Sequence, residues 1–231
     1  MDAAQKLFAW PKQAHFGRVL NKERFYAGAR NNRKLKQLFT EQVSRMTWQY
    51  KLATETLNIP STPEVPEIEV IQIEAKTAEL DEAILQAIDR AIPNPTIHEI
   101  HSDDRTCQMA AFKRPSEADK SAKVISHYVS TSWQPRKSDR SPLPVTLNLS
   151  KLYSAIFRGM IDIPDREGES LKLHVERHAE VLAARREAER IAKKMNTEKQ
   201  FNRKVDLNGQ LRKINEQIQA LTRTKPQEAD G

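Results

Sequence analysis

Glu74 and Lys76 are the residues whose types and spacing come closest to a catalytic pair. They follow a predicted apolar strand, which is where metal-dependent nucleases place a carboxylate and a lysine. A nuclease would hold Mg²⁺ between two carboxylates, and the lysine would stabilise the attacking water or the charge developing on phosphorus. None of the upstream acids sits in a proline-aspartate turn that would supply the second carboxylate; these acids are Glu55, Glu64, Glu67 and Glu69. A divalent-metal nuclease is therefore an alternative hypothesis, and no other cofactor is predicted.

Two other chemical patterns are weaker. His174 and His178 lie one helical turn apart, but the glutamate between them does not follow the first histidine as the zinc-protease pattern requires, so a solvated helix face is the simpler interpretation. The six glycines are scattered singly. This excludes the glycine-rich loops that cradle nucleotide phosphates.

Two groups of basic residues are candidates for contact with nucleic-acid phosphates. The first surrounds the start of a predicted helix and comprises Arg30, Arg33, Lys34 and Lys36. The second lies on nearly one face of a predicted C-terminal helix and comprises Arg186, Arg190, Lys193 and Lys194. Glutamates interleave with the second group. The alternative to phosphate contact is therefore an exposed helix face whose charges form ion pairs with one another.

The charge of the chain is arranged in blocks. The 231 residues carry a net charge of +7 and have a pI near 9.5, yet residues 61–120 contain 13 acidic and 6 basic side chains. Opposite blocks either compensate one another within the fold or present a basic surface to phosphates and an acidic surface to a protein. Nucleic acid is therefore a candidate partner.

The elements that would position these side chains form a globular domain over residues 1–165. Strands are predicted at residues 46–53, 68–76, 96–101, 106–113 and 123–133, and helices at residues 22–30, 33–45, 80–92 and 147–160. The pattern predicts an α/β or α+β fold, with a mixed sheet of four or five strands flanked by helices. Residues 134–146 contain three prolines and four charges and predict an exposed loop.

Residues 171–224 are predicted to form one long coiled-coil helix, followed by a disordered tail at residues 225–231. The run from Leu171 to Arg223 has no proline, and a continuous helix there would be roughly 80 Å long. Spacings of four and three residues predict a partner interface at Leu207, Leu211, Ile214, Ile218 and Leu221. The apolar seam shifts frame between Met195 and Leu207. The sequence allows three partners for this helix: a second copy of the chain, the globular domain of the same chain, or another protein.

A single cysteine excludes an internal disulfide framework, and the N-terminal residues lack the apolar core of a signal peptide. No apolar run approaches the roughly 18 to 20 residues needed to span a bilayer. These features predict a cytoplasmic protein without membrane contact.

Three separated segments resemble one bacterial family. They are FTEQVSRMTWQYKLATETLNIP at residues 39–60, AIDRAIP at residues 87–93 with Lys113-Arg114 after the next hairpin, and KQFNRKVDLNGQLRK at residues 199–213. Their order and spacing are similar to the family known as domain of unknown function 4391. The resemblance implies gene neighbourhoods with DNA methyltransferases and helicases of restriction or phage-defence type, and it brings no catalytic residues.

Together these features predict a non-catalytic accessory or assembly subunit of a bacterial DNA-targeting complex of the restriction-modification or phage-defence type. It would bind partner proteins, such as helicase or methyltransferase subunits, through the C-terminal helix, and DNA phosphates through its basic faces. The alternatives are the nuclease that uses Glu74 and Lys76, and a homodimeric scaffold without nucleic-acid contact.

Overall fold

The computed structural model describes residues 5, 7–27, 32–115 and 123–224. The contacts define two compact units, which are separated in the sequence between Met160 and Ile161. Arg30 and the predicted tail at residues 225–231 lie outside the described residues. The elements of the first unit are β1 (His15–Val19), α1 (Glu23–Tyr26), α2 (Asn32–Gln42), β2 (Val43–Leu52), α3 (Thr54–Leu57), β3 (Ile68–Ala75), α4 (Glu82–Ala91), β4 (Thr96–Ser102), β5 (Arg105–Pro115), β6 (Lys123–Ser130), β7 (Gln134–Pro135) and α5 (Leu149–Met160).

A mixed sheet with the strand order β1-β2-β3-β4-β5-β6 forms the centre of the first unit, and β7 pairs with the start of β5. Strands β3 and β4 are parallel and are connected through α4, whereas the other pairs are antiparallel. The carboxyl ends of β3 and β4 therefore meet at one edge of the sheet, where Glu74 is in register with His101.

Burial explains why the central elements form where the sequence predicts them. Strand β3 is rich in isoleucine and valine, and Ile71 and Ile73 are fully buried in the core. Helix α4 begins after Asp81, whose Oδ1 accepts a hydrogen bond from the Ala83 amide at 2.9 Å. Its apolar face packs into the same core through Ile84, Leu85 and Ile88.

The α+β class and the mixed sheet agree with the prediction, but the number of strands was predicted too low. Strand β1 escaped detection because all five of its residues are exposed, so it lacks an apolar alternation. Gly17 within it has a φ of 69°, which marks an irregular strand. Strand β7 has only two residues and lies inside the predicted loop at residues 134–146.

The second unit corrects the prediction of one continuous helix. It contains α6 (Leu171–Thr197) and α7 (Phe201–Thr222), and the residues between them have extended backbones, with a ψ of 130° at Glu198 and of 121° at Gln200. The carboxylate of Glu198 accepts a hydrogen bond from the Gln200 amide at 2.9 Å, which fixes the break. The chain reverses at the place where the apolar seam shifts frame.

The two helices pack against each other as an antiparallel hairpin. In α7 the half-buried side chains include all five seam positions, whereas their helical neighbours from Phe201 to Ala220 are exposed. The predicted partner interface therefore faces α6 of the same chain: Leu207, Leu211, Ile214, Ile218 and Leu221. The predicted projection of about 80 Å is wrong because the helix folds back on itself.

None of the helices in the described part of the chain is both long enough and apolar enough to cross a membrane.

Candidate nucleic-acid interface and charged clusters

Glu74 lies at the end of β3 in a network of ion pairs. Its Oε2 accepts from Arg136 at 2.7 Å, and its Oε1 faces His101 Nδ1 at 3.1 Å and Gln72 Nε2 at 2.8 Å. Burial opposes ionisation, but the hydrogen bonds from Arg136 and His101 outweigh it and lower the pKa of the Glu74 carboxyl below its usual value. Glu74 is therefore a satisfied carboxylate.

Lys76 has a different partner from Glu74. Its Nζ donates to the carbonyl oxygen of Thr40 at 2.7 Å, and its amide donates to the carbonyl oxygen of Gln42 at 2.8 Å. Both acceptors belong to the last turn of α2, where a cation interacts favourably with the helix dipole. The lysine thus stabilises the end of a helix.

The next carboxylate along this network is Glu99, and His101 lies between it and Glu74. His101 Nε2 is 3.1 Å from Glu99 Oε1, so the imidazole separates the two carboxylates. On β2, the residue paired with Glu74 is Arg45. This arrangement does not give Glu74 a second carboxylate with which to share Mg²⁺, and it does not favour the nuclease alternative.

Glu99 anchors the loop that was predicted to be exposed. Arg140 donates to both of its carboxylate oxygens, at 2.8 and 3.0 Å, and Trp10 Nε1 also donates to Oε2. Burial opposes ionisation, but the hydrogen bonds from His101 and Arg140 lower the pKa of Glu99 to about 2. Arg136 and Arg140 therefore fasten residues 136–140 to the sheet edge. The pairs Arg136–Glu74 and Arg140–Glu99 join residues far apart in the sequence, so no local sequence pattern predicts them.

A second charged network is enclosed in the core. Asp89 of α4 has a fully buried side chain, and its Oδ1 lies 2.9 Å from Lys113 Nζ and 3.1 Å from His98 Nε2. Tyr128 donates to the other oxygen. Burial opposes ionisation, but the charges of His98 and Lys113 lower the pKa of Asp89 to about 2. The network joins α4 to β4, β5 and β6.

In the second unit, the two histidines predicted to lie on a solvated face are buried. His174 pairs with Asp165 at 2.8 Å and His178 pairs with Asp162 at 3.0 Å, so each imidazole has its own carboxylate. Within the described residues, Asp165, Glu169 and His174 form the one group of three side chains close enough to share a metal ion. Arg177 already donates to both oxygens of Glu169 at 2.7 Å. The group is therefore part of a salt-bridge cluster.

The predicted phosphate-contacting residues are exposed wherever they are described. Those of α2 are Arg33, Lys34 and Lys36, and those of α6 are Arg186, Arg190, Lys193 and Lys194. Arg190 is paired with Glu187 at 2.7 Å, so part of the predicted ridge is an ion pair. Among the described residues, the other three predicted cations of this ridge, Arg186, Lys193 and Lys194, have no ion pair.

The helical hairpin adds a basic surface that the prediction of a continuous helix missed. Its closed end, residues 190–204, carries six basic side chains and one acidic side chain, and we call this region the hairpin tip. The basic residues are Arg190, Lys193, Lys194, Lys199, Arg203 and Lys204, and all are exposed. Lys194 of α6 and Arg203 of α7 line one cleft of about 430 Å³, together with the acidic Glu198 and Asp206. In a continuous helix these two cations would lie more than a helical turn apart.

Apolar side chains are exposed at the hairpin tip and directly beside it. Phe201 is 78 % exposed and Val205, one turn further along α7, is 52 % exposed. An exposed aromatic ring among cations is typical of surfaces that stack on unpaired bases. The hairpin tip therefore offers contacts to phosphates and to an apolar or aromatic group.

The sequence pattern of one protein family matches residues 8–218, and its description reads "Domain of unknown function (DUF4391)". No curated protein and no solved structure matches the chain significantly. The match includes the sheet, the charged networks and most of the helical hairpin. The chain belongs to this domain family, as the three resembling segments predict.

Proposed function

We propose that the protein is a non-catalytic, nucleic-acid-contacting component of a bacterial DNA-targeting assembly, and that the hairpin tip is the contact surface. The observation that carries the proposal is the exposure of six basic side chains against one acidic side chain in residues 190–204. Such a surface releases counterions from a phosphate backbone when it binds.

The sheet unit supports the non-catalytic part of the proposal. Glu74 is neutralised by Arg136, and Lys76 is engaged with the end of α2. The buried network around Asp89 is enclosed in the core, where a substrate would have no access. These charged groups stabilise the fold.

The setting of the assembly is also part of the proposal. A restriction-modification or phage-defence system, with helicase or methyltransferase subunits as partners, follows from the family resemblance. Because the seam of α7 faces α6, these partners would bind surfaces other than the buried side of that stripe.

The test is binding of the full chain to a labelled DNA duplex and to the matching single strand, followed by fluorescence anisotropy. A variant with Lys193→Glu, Lys194→Glu and Arg203→Glu reverses three charges at the hairpin tip. The matched control reverses three exposed lysines elsewhere, Lys12→Glu, Lys151→Glu and Lys213→Glu, so both variants have the same net charge.

We expect the tip variant to lose at least tenfold in affinity and the control to lose much less. Equal losses would show that only net charge matters and would overturn the hairpin tip as the site. Absence of binding by the wild-type chain at low salt would favour the scaffold alternative, in which the protein makes no contact with nucleic acid.

A further inference from the structure

A pocket of about 360 Å³ lies in the first unit beside the end of α4. Its volume is within the range of about 300 to 1,000 Å³ that holds small organic ligands. Apolar residues provide most of the wall: Leu20, Phe25, Trp48, Ala91 and Ile92. The other two lining residues are charged, Arg24 on α1 and Glu69 on β3.

Glu69 is the unusual member of this wall. Its residue is only 2 % exposed, and its Oε1 accepts a hydrogen bond from Asn94 Nδ2 at 3.1 Å. Its Oε2 is buried and accepts from no donor among the described residues. A buried acceptor without a donor is unfavourable, because it has lost its hydrogen bonds to water. The pocket therefore contains an acceptor that a ligand could satisfy.

The charges around Glu69 identify the kind of donor that fits. Glu67 lies beside it, and Lys51 forms an ion pair of 2.7 Å with Glu67. Burial and Glu67 raise the pKa of Glu69 to about 8, although Asn94 opposes the shift. Two carboxyl groups, which are hydrogen-bonded to each other, thus share one lysine. At neutral pH a proton on Glu69 supplies the second positive charge, and a cationic ligand would replace that proton.

The aromatic part of the wall also favours a cation. The rings of Trp48 and Phe25 line the pocket, and aromatic rings attract an ammonium or guanidinium group. The carboxyl end of α4 adds little, because Lys113 Nζ already donates to the carbonyl oxygen of Ile92 at 2.8 Å. Arg24 opposes a cation, but it is exposed to solvent, which screens its charge.

We propose that this pocket binds a small organic cation, an ammonium or guanidinium group carried on an apolar body. The cationic group donates to Glu69 Oε2, and the apolar body packs against Trp48, Phe25 and Leu20. When the ligand enters at neutral pH, the Glu69 carboxyl releases its proton to solvent and keeps the positive charge of the ligand as its partner. The site is separate from the hairpin tip and does not depend on the proposed function.

The test is calorimetric titration of the full chain with 2-phenylethylamine, in two buffers that differ in ionisation enthalpy. We expect binding with release of up to one proton near neutral pH, and affinity that rises by more than tenfold from about pH 6 to pH 8.5 as Glu69 ionises, since an alkylamine stays charged to about pH 10. The comparison ligand is 3-phenylpropionate, which has the same ring and an anionic group, and it should not bind.

Three variants make the result specific. Glu69→Gln keeps the shape and should reduce amine binding at least tenfold, whereas Glu64→Gln, at an exposed position in the preceding loop, should leave it unchanged. Arg24→Ala removes the opposing charge and should tighten amine binding. Amine binding that Glu69→Gln leaves intact, the absence of amine binding, or weaker amine binding after Arg24→Ala would each overturn the proposal.

Discussion

Arg177 Nη1 donates a hydrogen bond of 2.7 Å to the carbonyl oxygen of Leu221, 44 residues further along the chain. Arg166 adds a bond of 2.8 Å to the carbonyl oxygen of Ala220. The last carbonyl groups of a helix have no partner within the helix, and guanidinium groups satisfy them here. These contacts tie the end of α7 to the start of α6, so the helical hairpin is fastened at its open end.

Arg177→Ala should destabilise the helical hairpin, because it also leaves the half-buried Glu169 without its bidentate partner. Hydrogen bonds to charged groups contribute about 1.5 to 3 kcal/mol, and we expect a loss of that order in urea unfolding. Hydrogen exchange should rise in the last turns of α7. The control is Arg212→Ala, which removes an exposed guanidinium from α7 itself. Equal exchange in the two variants would contradict the capping role.

The apolar stripe of α7 should stabilise the single chain. Leu211→Asp with Ile218→Asp places two charges against α6, and we expect lower helicity and a lower melting temperature at every protein concentration. Asn208→Asp with Gln217→Asp adds the same charge at exposed positions and should have little effect. A seam variant that dissociates a dimer but melts as the wild type does would show that the stripe serves assembly, as the sequence had indicated.

The buried network around Asp89 should be sensitive to loss of its carboxylate. Asp89→Asn removes the negative charge 2.9 Å from Lys113 Nζ in the core, and breaking a buried ion pair costs about 3 to 5 kcal/mol. Denaturant unfolding at neutral pH measures this difference. Asp139→Asn, at an exposed position in the loop, is the control and should change stability by less than about 0.5 kcal/mol.

The same network should contribute to acid sensitivity. The pKa of Asp89 is about 2 in the folded protein, below the value of about 3.9 for an unfolded chain. Its stabilising contribution is therefore present above pH ~4 and is lost as the pH falls from about 4 to 2. Asp89→Asn cannot titrate and should lose less stability than the wild type over this interval. Parallel pH profiles for the two proteins would contradict the assignment.

The exposed ring at the hairpin tip should distinguish single strands from duplexes. Phe201→Ala should weaken binding to single-stranded DNA by about 1 to 3 kcal/mol, since unpaired bases stack on aromatic rings. Binding to the duplex should change much less. Leu173→Ala removes another exposed apolar side chain of the second unit and should affect neither. Equal weakening for both forms of DNA would argue against stacking.

The elements with strong apolar periodicity could be predicted from the sequence. Strand β3 and helix α4 bury their isoleucines against the core, and their types and approximate bounds follow from that pattern. The exposed strand β1 has no such pattern. The turn at residues 198–200 contains neither proline nor glycine, so only the shift of the apolar seam pointed to it.

The charged partnerships could not be predicted, because they join distant parts of the chain. Glu74 meets Arg136 across 62 positions and His101 across 27 positions. Both contacts depend on the parallel pairing of β3 with β4 and on the path of the following loop. Similarly, Lys194 and Arg203 line one cleft only because the chain reverses between them. The residue types showed where the charges lie in the sequence. The topology decides which of them pair within the fold and which stay exposed to bind another molecule.

The most direct test of the nucleic-acid contact is the salt dependence of DNA binding. The logarithm of the binding constant should fall linearly with the logarithm of the salt concentration, with a slope of about −0.9 for each phosphate neutralised on duplex DNA. Replacing Lys193, Lys194 and Arg203 with glutamine should make the slope shallower by about 2 to 3 units. A slope that these substitutions leave unchanged would contradict the hairpin tip as the contact surface.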